Sequence, residues 1–240
     1  MRRVFAAALL GALLLGPLAS HAGYLIVDEN GEQVLISTGR LKMAPASAGG
    51  MILVLDVGRS RLWVADSVRR RYWEGTVDEY CDGVRRLATP PAGERPDAAG
   101  SAPAPKVTLE RTTEMQTIAG LPTRKFRVLA NGTLYEELWL TSDPALLGEL
   151  LVARAPDTFG RMSGCMAAAG GSPRIETTDE YRRIYAEGWP LKVVFHGEGK
   201  PLAGPAVVRV EPRDVSDAAF RPPPGFAASP LREVLDRSAP

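Results

Sequence analysis

Two Asn-Gly dipeptides, Asn30-Gly31 and Asn131-Gly132, each stand between runs of apolar and polar residues that tend to alternate. Asn-Gly readily takes positive φ at both central positions of a type I′ turn, whose twist matches that of two antiparallel strands. The chain is therefore directed towards β-hairpins. The better specified one covers residues 123–141. With a two-residue loop, Val128 faces Tyr135, Leu129 faces Leu134, Arg127 faces Glu136, and Arg124 meets Trp139 in a cation–π contact. Asn131-Gly132-Thr133 also spells a glycosylation sequon, but the turn accounts for these residues without a sugar. The hairpin over residues 24–36 sets Val27 opposite Val34 and Ile26 opposite Leu35. It also faces Glu29 with Glu32, a small like-charge penalty beside the turn, and a longer loop is the alternative.

Further strands follow the same pattern. Residues 51–56 and 61–66 form a hairpin around Gly58-Arg59-Ser60, residues 71–74 add a short strand, and residues 191–196 pair with 206–211. The stretch 38–50, with Ala44-Pro45-Ala46-Ser47-Ala48-Gly49-Gly50, has the composition of a loop. Helices lie between the hairpins. Thr76-Val77-Asp78-Glu79 is a capping box, followed by Val77, Tyr80, Cys81, Val84 and Leu87 on one face. Asp143-Pro144 begins a helix carrying Leu146, Leu147, Leu150 and Leu151, which Pro156 ends. Asp157 caps a helix with Phe159, Met162, Cys165 and Met166 on one side, and Thr177-Thr178-Asp179-Glu180 is a second capping box. A proline-rich exit over 220–226 precedes a short helix with Ser229 and Pro230 at its start. About eight strands joined by tight turns, with helices grouped between hairpins, give an α+β fold on an antiparallel sheet.

Residues 1–22 carry Arg2-Arg3, an apolar stretch over 4–18, and Ser20-His21-Ala22 with small residues at the −3 and −1 positions. That is the pattern of a secretory signal cleaved after Ala22, with an uncleaved anchor as the alternative. Loss of two of the 29 basic residues against 28 acidic ones turns a net charge of +1 into −1. A near-neutral exported product has no broad attraction for nucleic acid. Beyond the signal no apolar run reaches the length of a membrane span. The remainder, 23–240, reads as one domain with a disordered Pro/Ala-rich insertion at about 88–106.

Export changes the meaning of the two cysteines. Cys81 and Cys165 are the only pair in the chain, and an oxidising compartment favours a disulfide between them; two buried free thiols are the alternative. With His21 in the signal, His196 is left as the one histidine, too few for a Cys/His zinc site. No metal or cofactor is expected, although an all-carboxylate Ca²⁺ or Mg²⁺ site is not excluded by counting. A hydrolase would have to use His196, which stands at a strand end without an evident partner. Asp78-Glu79 and Asp179-Glu180 are explained by their helix first turns. Arg69-Arg70-Arg71 reads as an anionic-headgroup site or, more simply, as solvated turn charges.

The aromatic residues are more suggestive. Trp63, Trp73, Phe126, Tyr135, Trp139 and Phe195 fall on strands, where they form either a closed core or the wall of a cavity for a hydrophobic ligand.

Several segments resemble a family of secreted bacterial domains of unknown function. Met51-Ile52-Leu53-Val54-Leu55-Asp56, Arg61-Leu62-Trp63-Val64-Ala65-Asp66 and Tyr72 resemble its opening. Thr117-Ile118-Ala119-Gly120-Leu121-Pro122-Thr123-Arg124-Lys125-Phe126, Gly132 and Glu137-Leu138-Trp139-Leu140-Thr141 resemble its middle, and Phe220-Arg221-Pro222-Pro223-Pro224-Gly225-Phe226 its ending. That family is similar to the LolA/LolB lipoprotein-carrier fold. The resemblance implies a curved antiparallel sheet, an unclosed half-barrel with helices packed on the concave face. It also implies a non-enzymatic periplasmic protein that binds a lipid, a lipidated partner or another hydrophobic ligand there. The alternatives are a structural or sensing module with a closed core and an envelope protein as partner, or a hydrolase built on His196.

Overall fold

The computed structural model describes residues 23–47, 49–88, 105–150, 156–169, 174–197 and 200–236. The signal segment and nearly all of the Pro/Ala-rich insertion lie outside them.

The architecture is α+β, with two antiparallel sheets where one was expected. The first has eight strands in the order β12-β1-β2-β3-β4-β5-β6-β13. They are β1 (Tyr24–Asp28), β2 (Gln33–Ser37), β3 (Arg40–Ala44), β4 (Met51–Asp56), β5 (Arg61–Asp66), β6 (Arg71–Thr76), β12 (Val207–Pro212) and β13 (Ala227–Ala228). Only β13 runs parallel to its neighbour. The second sheet has the order β11-β10-β9-β8-β7: β7 (Val107–Ile118), β8 (Leu121–Ala130), β9 (Thr133–Thr141), β10 (Trp189–Phe195) and β11 (Leu202–Ala203).

The helices are α1 (Val77–Ala88), α2 (Pro144–Leu150), α3 (Pro156–Ala169), α4 (Asp179–Arg182), α5 (Ile184–Glu187) and α6 (Leu231–Leu235), with a 3-10 turn at Arg174–Thr177. The expected capping box at α1 forms: the Glu79 backbone N–H donates to Thr76 Oγ1 at 3.1 Å, and the Glu79 carboxylate accepts from Thr76 N at 2.7 Å. At α4 the cap is Thr178 rather than Thr177, its hydroxyl accepting from Tyr181 N.

Local side chains alter both Asn-Gly hairpins. In the first, the Asp28 carboxylate accepts from Asn30 N and Glu32 N, both at 2.9 Å, and this widens the loop. Ile26 therefore pairs with Val34 and Leu25 with Leu35, one residue off the two-residue-turn register. In the second, Asn131 and Gly132 do take positive φ, and Leu129 pairs with Leu134. The register then shifts at Tyr135, so Val128 pairs with Glu136, Arg127 with Glu137 and Arg124 with Leu140. The expected Arg127–Glu136 and Arg124–Trp139 pairs are thus replaced, and Lys125 faces Trp139.

Four strands, β3, β7 and the two-residue β11 and β13, lie outside the segments expected to be strands. Strand β3 follows a Thr38-Gly39 turn with positive φ at both positions, inside the stretch taken as a loop. Strand β7 is a mostly exposed edge strand with few apolar residues to mark it. The last hairpin is also repartnered: β10 pairs with β9 and β11, while β12 crosses to pair with β1.

The main core lies between the eight-stranded sheet and α1, α2, α3 and α6. Ile36, Leu41, Leu55 and Leu62 from the strands meet Val77, Leu146, Leu150, Phe159 and Val234. Cys81 of α1 and Cys165 of α3 are disulfide-bonded within this core, with Cα atoms 5.3 Å apart. The opposite face of the same sheet is also covered. Val54, Trp63 and Ala65 pack against Phe220, with Val215 and Phe226 alongside. Strand β5 is consequently buried on both faces, which explains its nearly unbroken apolar run.

Candidate functional site

The six candidate wall aromatics do not share one surface. On β5, Trp63 points to the face covered by the C-terminal segment, where its indole donates to the Phe220 carbonyl at 2.8 Å. On β6, Trp73 packs towards the helix-covered core beside Tyr80. Phe126 and Tyr135 join a separate cluster against Ile175, Tyr181 and Ile184. Trp139 belongs to a fourth cluster with Ile118 and Leu191, its ring flanked by Lys125 Nζ at 4.9 Å and Lys192 Nζ at 4.3 Å. Phe195 is 40% exposed beside Leu202. Strand parity separates Phe126 from Trp139, because Phe126 pairs with Leu138 while Trp139 pairs with Lys125.

His196 acquires a partner that spacing did not reveal. Its Nε2 lies 3.1 Å from Glu137 Oε2, and Lys125 Nζ lies 2.7 Å from the other carboxylate oxygen. Burial opposes the charge on Glu137, but the Lys125 and His196 contacts outweigh it and hold the carboxyl below its ordinary range. Among the described residues, Glu137 is the ring's hydrogen-bond partner, and none of them places a hydroxyl or thiol in hydrogen-bond contact with the ring.

A second polar group is buried deeper. The bulge at Tyr135 accompanies two tyrosine–carboxylate bonds at neighbouring positions: Tyr135 donates to Glu176 at 2.7 Å, and Tyr181 donates to Glu136 at 2.9 Å. Glu136 is 2% exposed. Burial pushes its carboxyl up to about 7; the Tyr181 hydroxyl works against this rise and the Glu176 charge adds to it. Among the described residues no cluster of three or more His, Cys, Asp or Glu side chains is placed to hold a metal ion.

Arg69-Arg70-Arg71 neither faces bulk water alone nor presents an open anion site. Arg69 donates to Asp66 Oδ2 at 2.6 Å, to the Glu233 carbonyl at 3.3 Å and to the Asp236 carbonyl. Arg70 reaches the Pro224 carbonyl, and Arg71 bridges to Glu233 at 3.2 Å. The three arginines hold the C-terminal segment against the sheet.

A surface groove lies at the β6 end of that sheet. It encloses about 550 Å³ between β6, α1 and the start of α6, and is lined by Trp73, Glu74, Arg86, Leu87, Leu231 and Arg232 among others. Leu87 is 52% exposed there. A second groove of about 390 Å³ lies over Trp63, where Arg40 bridges Asp217 at 2.7 Å and Arg61 bridges Glu74 at 3.2 Å. Its cations are largely engaged by neighbouring carboxylates.

No family model matches this chain, and no curated protein matches it. Among the described residues no helix is long and apolar enough to cross a membrane.

Proposed function

We propose that the protein is an exported, non-enzymatic module that meets a protein partner across its outer surface while its interior stays closed. The observation that carries this reading is the filled space between the eight-stranded sheet and its helices. Ile36, Leu55, Leu146 and Leu150 have no solvent exposure there, and the six candidate aromatics diverge into separate environments. A periplasmic or secreted location is supported by the Cys81–Cys165 disulfide, which persists in an oxidising compartment, and by the signal-like pattern of residues 1–22. A non-catalytic role is supported by His196, whose ring is engaged by Glu137 and, among the described residues, by no hydroxyl or thiol.

Binding of an acyl chain in a LolA-like half-barrel is the second reading. What favours it is the continuous apolar layer beneath α1, α2, α3 and α6. A ligand would enter that layer only by lifting helices, and the disulfide ties α1 to α3 against such a movement. Native mass spectrometry after gentle purification from an envelope fraction tests both. A mass matching the bare disulfide-bonded chain, together with a specific protein cross-link to its outer surface, is the expected result. A stoichiometric acyl adduct would replace the first reading with the second.

A further inference from the structure

The groove beside β6 contains an interrupted strand ladder. Ser60 accepts from Val77 N at 2.9 Å, which fixes the parity of the β5–β6 ladder: odd-numbered β6 residues bond to β5 and even-numbered ones point outward. The outward groups of Arg70 and Tyr72 are taken by β13, through Ala227 N to Arg70 O and Ser229 N to Tyr72 O. At the far end, Thr76 N donates to the Glu79 carboxylate. Glu74 lies between them. Pairing with β13 stops at Tyr72 because the chain turns into α6 at Leu231. Among the described residues, the outward N–H and C=O of Glu74 therefore meet no strand.

The surroundings of this gap specify what would fill it. Trp73 and Leu87 supply apolar walls. Arg86 and Arg232 line the same groove, and neither has a carboxylate within salt-bridge distance among the described residues. The Arg86 guanidinium folds back to 4.0 Å from where a side chain at Gly83 would begin, beside Leu231. The acids of the groove are already engaged, Glu74 with Arg61 and Glu79 with Thr76. The open edge is one residue long and blocked at the β13 end by Pro230 and Leu231, so a strand running through in both directions does not fit.

We infer that the groove receives the carboxyl-terminal end of an extended segment of a partner protein, which bonds to both backbone groups of Glu74 and sets its terminal carboxylate against Arg86 and Arg232. This rests on the reading of the protein as a partner-binding module. The backbone bonds supply strand addition, and the guanidinium groups select a free terminus over an internal segment.

The test uses the full-length exported protein on an array of random hexapeptides, each present with a free carboxyl end and as its amide. Retention of a subset of the free acids, weakened about tenfold by amidation and by Arg86→Ala or Arg232→Ala, is expected. Glu74→Pro removes the outward N–H together with the Arg61 bridge and should abolish retention, whereas Glu74→Gln, which loses the ionic bridge but keeps the N–H, preserves it. Thermal melts of each variant separate loss of binding from loss of fold. Retention indifferent to amidation or to Glu74→Pro, or no retention at all, overturns the inference. So does dimerisation that Glu74→Pro abolishes, since the occupant would then be a second copy. A specific cross-linked partner on another face would leave the wider reading standing when this one fails.

Discussion

Trp63 Nε1 donates to the carbonyl oxygen of Phe220 at 2.8 Å, joining the middle of the eight-stranded sheet to a segment 157 residues away. Arg40 lies 4.5 Å above the Phe220 ring and bridges Asp217, so the same crossing is also held from β3, two strands away. Trp63 is only 5% exposed. Trp63→Phe removes the donor, leaves the Phe220 carbonyl without it, and opens a small void. A loss of about 2 kcal/mol is expected in urea unfolding followed by circular dichroism. A loss below a few tenths would mean that this contact does not help hold the segment down.

The turn at residues 66–71 should act as the second fastening of that segment. Asp66 accepts from Val68 N, Arg69 N and Arg69 Nε, and Arg69 goes on to two carbonyls near the C-terminus. Arg69→Lys keeps the charge but cannot reproduce a planar fork serving several acceptors at once. Limited proteolysis of the variant should release C-terminal fragments faster than from the wild-type protein, while the far-ultraviolet spectrum stays unchanged. Equal cleavage rates would remove Arg69 from the contacts that fasten the segment.

The elements that were legible in the sequence share a local cause. The Asn131-Gly132 turn and the Thr76 capping box are specified by residues within a few positions of each other, and both formed. Registers were less legible because a single carboxylate, Asp28, or a single bulged residue, Tyr135, moves every pair beyond it. Strand β3 has a local signal, the Thr38-Gly39 turn between Ile36 and Leu41, but the Ala/Pro/Gly-rich residues that follow mask it. The pairing of β12 with β1 had no local signal, since it joins the two ends of the chain. The same distance effect governs the site. That Trp63 faces away from the helices follows only once the C-terminal segment is seen to cover that side, and the gap at Glu74 only once β13 is seen to stop at Tyr72.

Cys81 and Cys165 close a loop with a sequence separation of 84. Cross-linking such a loop restricts the unfolded chain and is worth about 4 kcal/mol in the chain-entropy account. The double variant Cys81→Ala with Cys165→Ala should unfold at correspondingly lower denaturant concentration. Chemical reduction of the wild-type protein should move its midpoint in the same direction. A thiol assay on the unfolded, unreduced wild-type chain should find no reactive thiol, and two would remove the bridge from the account.

Glu136 should make stability fall as pH rises. Its folded carboxyl stands at about 7 against an ordinary value of 4.5, chiefly because burial disfavours the charge, with Glu176 adding to the effect. Between those values the folded chain holds a proton that the unfolded chain has released, so unfolding loses a proton and raising the pH favours it. The contribution is fully present below about pH 4.5, declines through the interval and is gone above about pH 7; its size is about 3 kcal/mol. Glu136→Gln carries no titrating group and can still accept from the Tyr181 hydroxyl, so it should flatten that part of the profile. It should also be the more stable protein at pH 8. Tyr181→Phe removes the one hydroxyl that favours the charged form and should push the decline to higher pH. Denaturant unfolding of the three proteins at half-unit pH steps separates these cases. A Glu136→Gln profile parallel to the wild type throughout would show that the carboxylate is hydrated in the folded state.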